Sequence, residues 1–215
     1  MRRFLPALLL LASCADAPVE PATQSLARAA PMLRSFSDVT WTTSTTGIEM
    51  VPIGQFNGDY TILVDINANG FAVGWRNTPG VGERAISWQN GVFTDLGTLG
   101  GGFSRAYQVN AAGVIVGEAS NEFGFIRPVV WVGGAIRELP ALDPTNAGFG
   151  TARAINERGA GGGKHSRPFT TRGALWPAEG AVVDIGMLPT ANVGWATGIN
   201  NHGHVFGQSI YFADF

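Results

Sequence analysis

From about residue 60 onward, apolar and polar positions alternate in short runs that stop at Asn or Gly. Alternation with a period of two marks half-buried strands, and Gly and Asn-Gly clusters mark the turns between them. One frame recurs four times. In residues 106–117 it reads AYQVNAAGVIVG, and its skeleton is A-x-x-(I/V)-N-x-x-G-x-(V/A)-x-G or close to it. The Asn positions are Asn67, Asn110, Asn156 and Asn200, each followed by two skeleton glycines, at Gly70, Gly113, Gly159 and Gly203 and at Gly74, Gly117, Gly163 and Gly207. A period in the forties signals a repeat array, and this must be read before anything else.

Turn chemistry divides each unit into four short strands. The first ends at the Asn, and the x-x-G after it is a tight turn in which Gly supplies a positive φ. The second is brief, at 71–74, 114–117 and 204–207, and a variable polar loop leads to the third, which ends at Trp88, Trp131 or Trp176. Asn90-Gly91 and Gly133-Gly134 then turn the chain into a fourth strand. Four strands in one unit make a propeller blade, whereas a solenoid coil needs about half that length. The expected fold is therefore all-β: a small β-propeller of about four four-stranded blades. The ends agree in phase. Trp41, Glu49, Met50 and Ile53 match a third and fourth strand, while residues 196–215 match a first and second. Together they form one blade closed by both termini, which removes an exposed sheet edge. The other reading of this phase is a fragment of a longer propeller.

Composition adds to this picture in two places. Charged residues are only 14% and Gly numbers 30, which suits a turn-rich β chain. The net charge of -2 leaves no basic footprint, so nucleic acid is not an expected partner. At the N-terminus, Arg2 and Arg3 precede the apolar run 4–12, which is too short to span a bilayer and suits a signal peptide. Leu11-Ala12-Ser13-Cys14 then has the form of a lipobox, and Cys14 is the only Cys in the chain. This predicts a signal peptide at 1–13, a lipidated Cys14 carrying palmitate-type chains, and an Ala/Pro-rich tether at 14–35. The repeat domain follows at 36–215. Several acyl chains together anchor stably where one is marginal. Ala15 after the Cys leaves the usual inner-membrane retention signal absent. The expected location is extracytoplasmic: the bacterial outer membrane or cell surface, with the membrane itself as a partner.

The repeat resembles the bacterial extracellular repeat family called HAF. Asp95-Leu96-Gly97-Thr98-Leu99-Gly100-Gly101 and the run 104–117 match that family's D-L-G-T-L-G-G and S-x-A-x-x-I-N-x-x-G-x-V-V-G, and 84–88 fits its run before the Trp loosely. Glu138-Leu139-Pro140-Ala141-Leu142 and Asp184-Ile185-Gly186-Met187-Leu188 keep the outline only. The resemblance covers about 36–215. It implies secretion and a propeller-like repeat, and it brings no catalytic residues.

Candidate chemistry is sparse. An Arg stands four residues before each Trp (Arg84, Arg127, Arg172), and an acid seven or eight after it (Asp95, Glu138, Asp184). Such residues pair as diagonal neighbours on a hairpin, and recurrence in every unit marks them as scaffold. Recurrence likewise assigns the four Asn to turn backbone groups and Trp88, Trp131 and Trp176 to packing between blades. His202-Gly203-His204 reads as a plain turn, His165 sits in a variable loop, and neither a metal nor a cofactor is expected. No nucleophile elbow, phosphate loop or zinc motif is present, so no catalytic residue is assigned. What varies between units is a better guide to binding. The loops 75–83, 118–126 and 164–171, and those at 100–105, 143–151 and 189–195, share one face. They carry Trp75, Phe103, Phe123, Phe125, Phe149, Phe169 and Trp195 among small polar residues, which suits sugars or peptides. The expected function is a non-catalytic envelope module that binds a polysaccharide or an envelope protein. The alternatives are an enzyme acting on polysaccharide and a truncated repeat without a function of its own.

Overall fold

In a computed structural model, which describes residues 60–142, 148–167 and 170–212, the chain is built of β-strands, with no helix among the described residues. The signal segment, Cys14, the tether, the half unit from Trp41 to Ile53 and Phe169 lie outside the described residues. All described residues fall in one unit, Gln55–Phe215.

The first repeat gives β1 (Thr61–Ile66), β2 (Ala72–Thr78), β3 (Gly82–Gln89) and β4 (Val92–Asp95), paired in that order as an antiparallel meander. The second gives β5 (Gly100–Val109), β6 (Ile115–Asn121), β7 (Ile126–Val132) and β8 (Ala135–Glu138), paired the same way. In the third, β9 (Phe149–Ile155), β10 (Gly161–Arg167), β11 (Thr170–Trp176) and β12 (Val183–Gly186) repeat the meander. Here β13 (Val193–Ile199) and β14 (Val205–Ile210), the half unit that ends the chain, join the same sheet through one parallel bridge, Thr171 to Val193. The all-β, four-strand unit read from the sequence is thus observed in three sheets.

The hairpins follow the turn chemistry. Asn90 and Gly91 have φ of 50° and 83°, and Gly133 and Gly134 have 58° and 83°. Two successive positive φ values make the type I′ turn that matches strand twist. The second strands run further than the brief strands expected. β2 continues to Thr78 and β6 to Asn121, so much of the expected variable loop is strand. Trp75 therefore sits on a strand, and Phe103, Phe149 and Trp195 sit on first strands that begin inside the expected loops. A two-strand ribbon can grow outward while its cross-strand pairs remain favourable, and polarity alone does not stop it.

The recurring Asn closes its own turn and reaches into the next unit. In the second unit Asn110 Oδ1 accepts from Val114 N at 2.9 Å, while its Nδ2 donates to the Asn156 carbonyl at 3.2 Å. Asn67 donates to Asn110 O at 3.1 Å and Asn156 to Asn200 O at 3.0 Å. Neighbouring first strands are further joined by Asp65 Oδ2 accepting from Val109 N at 2.8 Å and Gln108 Oε1 from Ile155 N at 2.7 Å. In the last unit the Asn200 amide contacts its own His204 ring at 3.3 Å.

Between sheets lie apolar layers. Val73, Ala85 and Leu96 of the first meet Ala106, Val109, Ile115, Val129 and Trp131 of the second. Val116 and Val130, on the opposite face of the second sheet, meet Ala152, Ile155, Ala174 and Trp176 of the third. The recurring Trp packs in these layers and donates across them: Trp131 Nε1 to Leu96 O and Trp176 Nε1 to Pro140 O, both at 2.7 Å. The Arg–acid pairs lie on the hairpins as diagonal neighbours: Arg84–Asp95 at 3.2 Å, Arg127–Glu138 at 3.7 Å and Arg172–Asp184 at 2.8 Å.

The two skeleton glycines serve different needs. Gly113 has a φ of 78° with open space around its Cα. At Gly117 a Cβ would fall on the carbonyl oxygen of Arg105 and against the ring of Trp131. Gly113→Ala is expected to cost about 1–2 kcal/mol through backbone strain. Gly117→Ala is expected to cost about 3 kcal/mol or more, because backbone must move. Urea denaturation of the two variants checks this, and equal or reversed losses would contradict the assignment.

Candidate functional site

Each first strand carries a β-bulge at the same place. The register slips between Leu63 and Asp65, between Ala106 and Gln108, opposite Gly162 and Gly163 in β9, and between Ala196 and Gly198. The extra residues are Val64, Tyr107, Arg153 and Thr197, each three positions before its Asn. A bulge re-aims a side chain out of the pleat's alternation. All four bulge residues line one cavity of about 310 Å³, together with Asp65, Gln108, Gly198, Ile199 and Phe206. A second cavity of about 300 Å³ shares Arg153 and Thr197 with it and adds Lys164 and Trp195. Four first strands, one per repeat, thus present four different side chains to one space.

The acids around this space are already engaged. Tyr107 Oη donates to Glu118 Oε1 at 2.5 Å, and Thr151 Oγ1 donates to Glu118 Oε2 at 2.6 Å. Glu118 is 8% exposed. Burial and then the charge of Glu118 push the Tyr107 hydroxyl well above its ordinary value, against the opposing pull of Arg153. The Arg153 guanidinium lies 4.3 Å from the centre of the Tyr107 ring. Glu83 accepts from Arg105 Nε at 2.7 Å and from Tyr60 Oη at 2.5 Å. Asp65 spends Oδ2 on the Val109 amide.

The aromatic residues singled out from the sequence fall into three places. Trp75 meets Tyr107 edge-on at 5.8 Å, and Arg105 lies over both Trp75 and Phe103, at 5.1 and 5.2 Å. Phe125 packs against Phe149 at 6.1 Å under Arg127, and Phe123 stands 74% exposed in the same turn. Trp195 stands by Arg153 and Lys164. Phe169 is outside the described residues. His202 and His204 stack across their turn at 6.0 Å, and the described residues hold no group of three or more His, Cys, Asp or Glu suited to a metal.

Sequence reasoning passed over Tyr107, Arg153, Glu118 and Lys164. The available signal was variation inside the constant frame. The column three before the Asn reads Val, Tyr, Arg, Thr, and the column after the second Gly reads Trp75, Glu118, Lys164, Gln208. The sequence matches no protein-family profile and no curated protein.

Tyr107→Phe removes one of the two hydroxyl donors to a buried carboxylate. At pH 7 the loss is expected to be about 1.5 kcal/mol. A tyrosine whose folded pKa is raised stabilises fully below its unfolded value near 10, and that stability is lost as pH rises beyond it. The difference between wild type and Tyr107→Phe should therefore shrink above about pH 10. Paired thermal melts from pH 7 to 11 measure it, and a gap that widens with pH would contradict the network.

Proposed function

We propose that this chain is a lipid-anchored binding module of the bacterial cell envelope whose repeat domain, 36–215, is a small propeller of the HAF-like kind. The observation that carries the binding reading is the shared cavity, where four equivalent bulge positions hold four different side chains. A scaffold position would keep one residue type, as the Asn and the two Gly of the frame do. The one acid among the cavity's described lining residues, Asp65, accepts from the Val109 amide, and the neighbouring Glu118 and Glu83 accept from Tyr107, Thr151, Arg105 and Tyr60, which favours recognition over acid–base chemistry.

Several observations support a propeller. The first strand of every unit lies by one cavity, and successive sheets stack through buried layers. Ile62, Val64 and Ile66 of β1 are 39%, 43% and 61% exposed. The indole N–H of Trp88 is buried without an acceptor among the described residues, whereas Trp131 and Trp176 each find a carbonyl of the preceding unit. A fourth blade made of β13, β14 and the half unit around Trp41 and Glu49 would supply that carbonyl. The anchor is proposed on the lipobox ending at Cys14.

Growth of an expressing bacterium in labelled palmitate tests the anchor. Wild type should carry label and Cys14→Ser should not, and label retained by Cys14→Ser would end the lipoprotein reading. The binding reading is tested by thermal melts of the detergent-solubilised chain against neutral and acidic envelope glycans. At a ligand concentration of about 100 Kd the stabilisation is about 2.7 kcal/mol, a clear upward shift. A cooperative melt that no glycan moves would count against glycan binding. In the same assay, deletion of 36–55 should lower the midpoint by exposing the Trp88 face, and an unchanged midpoint would remove the composite blade.

A further inference from the structure

We propose, building on the binding reading above, that the second cavity, which shares Arg153 and Thr197 with the first, takes an acidic sugar: a uronate-type carboxylate held by Arg153 and Lys164, with its ring on Trp195. The donors and acceptors around the cavity are out of balance. Arg153 and Lys164 line the same 300 Å³ space with Trp195 and Thr197, and among the described residues no acid lines it; Asp65 lines the adjoining cavity, where its Oδ2 accepts from the Val109 amide. Among the described residues neither cation has a carboxylate partner; Arg153 makes its contact with the face of Tyr107. The nearby Glu118 keeps its charge, but both its oxygens are occupied by hydroxyl donors and it forms no ion pair with Arg153 or Lys164. Two cations with no ion-pair partner among the described residues, set in a concave site, favour an anionic ligand.

The form of the site narrows the anion to a carboxylate. The guanidinium fork matches two carboxylate oxygens, and the ammonium of Lys164 adds a mobile point charge. Lys164 is placed by its pairing with Thr151 on β9 and Gly173 on β11, which fixes its stem beside the bulge that presents Arg153. The half-buried indole of Trp195 offers an apolar face of the kind that packs on the C–H face of a pyranose. Thr197, the bulge residue of β13, adds a hydroxyl at the same rim. A volume of about 300 Å³ lies at the small end of ligand sites, room for about one sugar residue with its neighbours in solvent.

Calorimetric titration of the full 215-residue chain in detergent tests this, with a tri-uronate oligosaccharide, its methyl ester and inorganic phosphate as probes. The expected result is binding of the tri-uronate at low salt, at least about tenfold weaker for the methyl ester. Arg153→Gln, Lys164→Gln and Trp195→Ala should each weaken the tri-uronate about tenfold or more, while each variant still melts cooperatively well above the titration temperature. Equal affinity for ester and acid, untouched by Arg153→Gln and Lys164→Gln, would overturn the proposal and leave the binding reading standing. Phosphate binding as tightly as the tri-uronate, with no loss in Trp195→Ala, would overturn the sugar assignment. No binding of any saccharide by the folded chain would overturn both.

Discussion

One side-chain amide holds this fold in register. The Oδ1 of each recurring Asn accepts from its own turn, two amides at Asn67, Asn156 and Asn200 and the Val114 amide at Asn110; in the first three units its Nδ2 reaches the carbonyl of the equivalent Asn in the next. The first half of that job is local and needs only a tight turn. The second half spans 43, 46 and 44 residues and makes each turn the template for its neighbour. Asn110 and Asn156 are 4% exposed, so replacing their amides would leave buried backbone groups unpaired, a loss of about 1–3 kcal/mol each. The Trp layers, the Asp65 and Gln108 links and the shared cavity all presuppose that alignment.

Alignment at the Asn also explains where variation is tolerated. The bulge three residues before it pushes the strand's carbonyl against the second skeleton glycine, which is why that position cannot carry a Cβ. The same bulge turns one side chain away from both apolar layers. A change at Val64, Tyr107, Arg153 or Thr197 alters the cavity without touching Val73, Trp131 or Trp176. The buried layers and the cavity lining are therefore separable within a single strand, at adjacent positions.

This separation sets how much could be read from the sequence. The all-β meander was legible because its signals are local: Asn90-Gly91 and Gly133-Gly134 force type I′ turns, and Arg four residues before each Trp meets its acid across the hairpin. The site was less legible. A bulge leaves no mark in a period-two pattern, so Tyr107 and Arg153 looked like filler between an Ala and an apolar residue. Polar, Gly-rich composition suggested loops at 75–83 and 164–171, while cross-strand pairing carries β2 to Thr78 and β10 to Arg167. Trp75 and Trp195 were found by their aromatic character, and their partners Tyr107 and Lys164 only by contact.

The electrostatics follow the same division. The Arg–acid pairs repeat in all three sheets, yet Arg172–Asp184 is about 40% exposed on both sides, and such pairs contribute about 0–1 kcal/mol. Their recurrence fixes the pitch of each hairpin more than its stability. Glu118 is different: it is one acid, in one unit, buried with two hydroxyl donors and placed beside Arg153 without binding it. Its two hydroxyl donors occupy its oxygens, and no ion pair joins it to Arg153. The recurring Arg and acid of the third and fourth strands are thus paired in every sheet, whereas Arg153 on β9 and Lys164 on β10 have no carboxylate partner among the described residues.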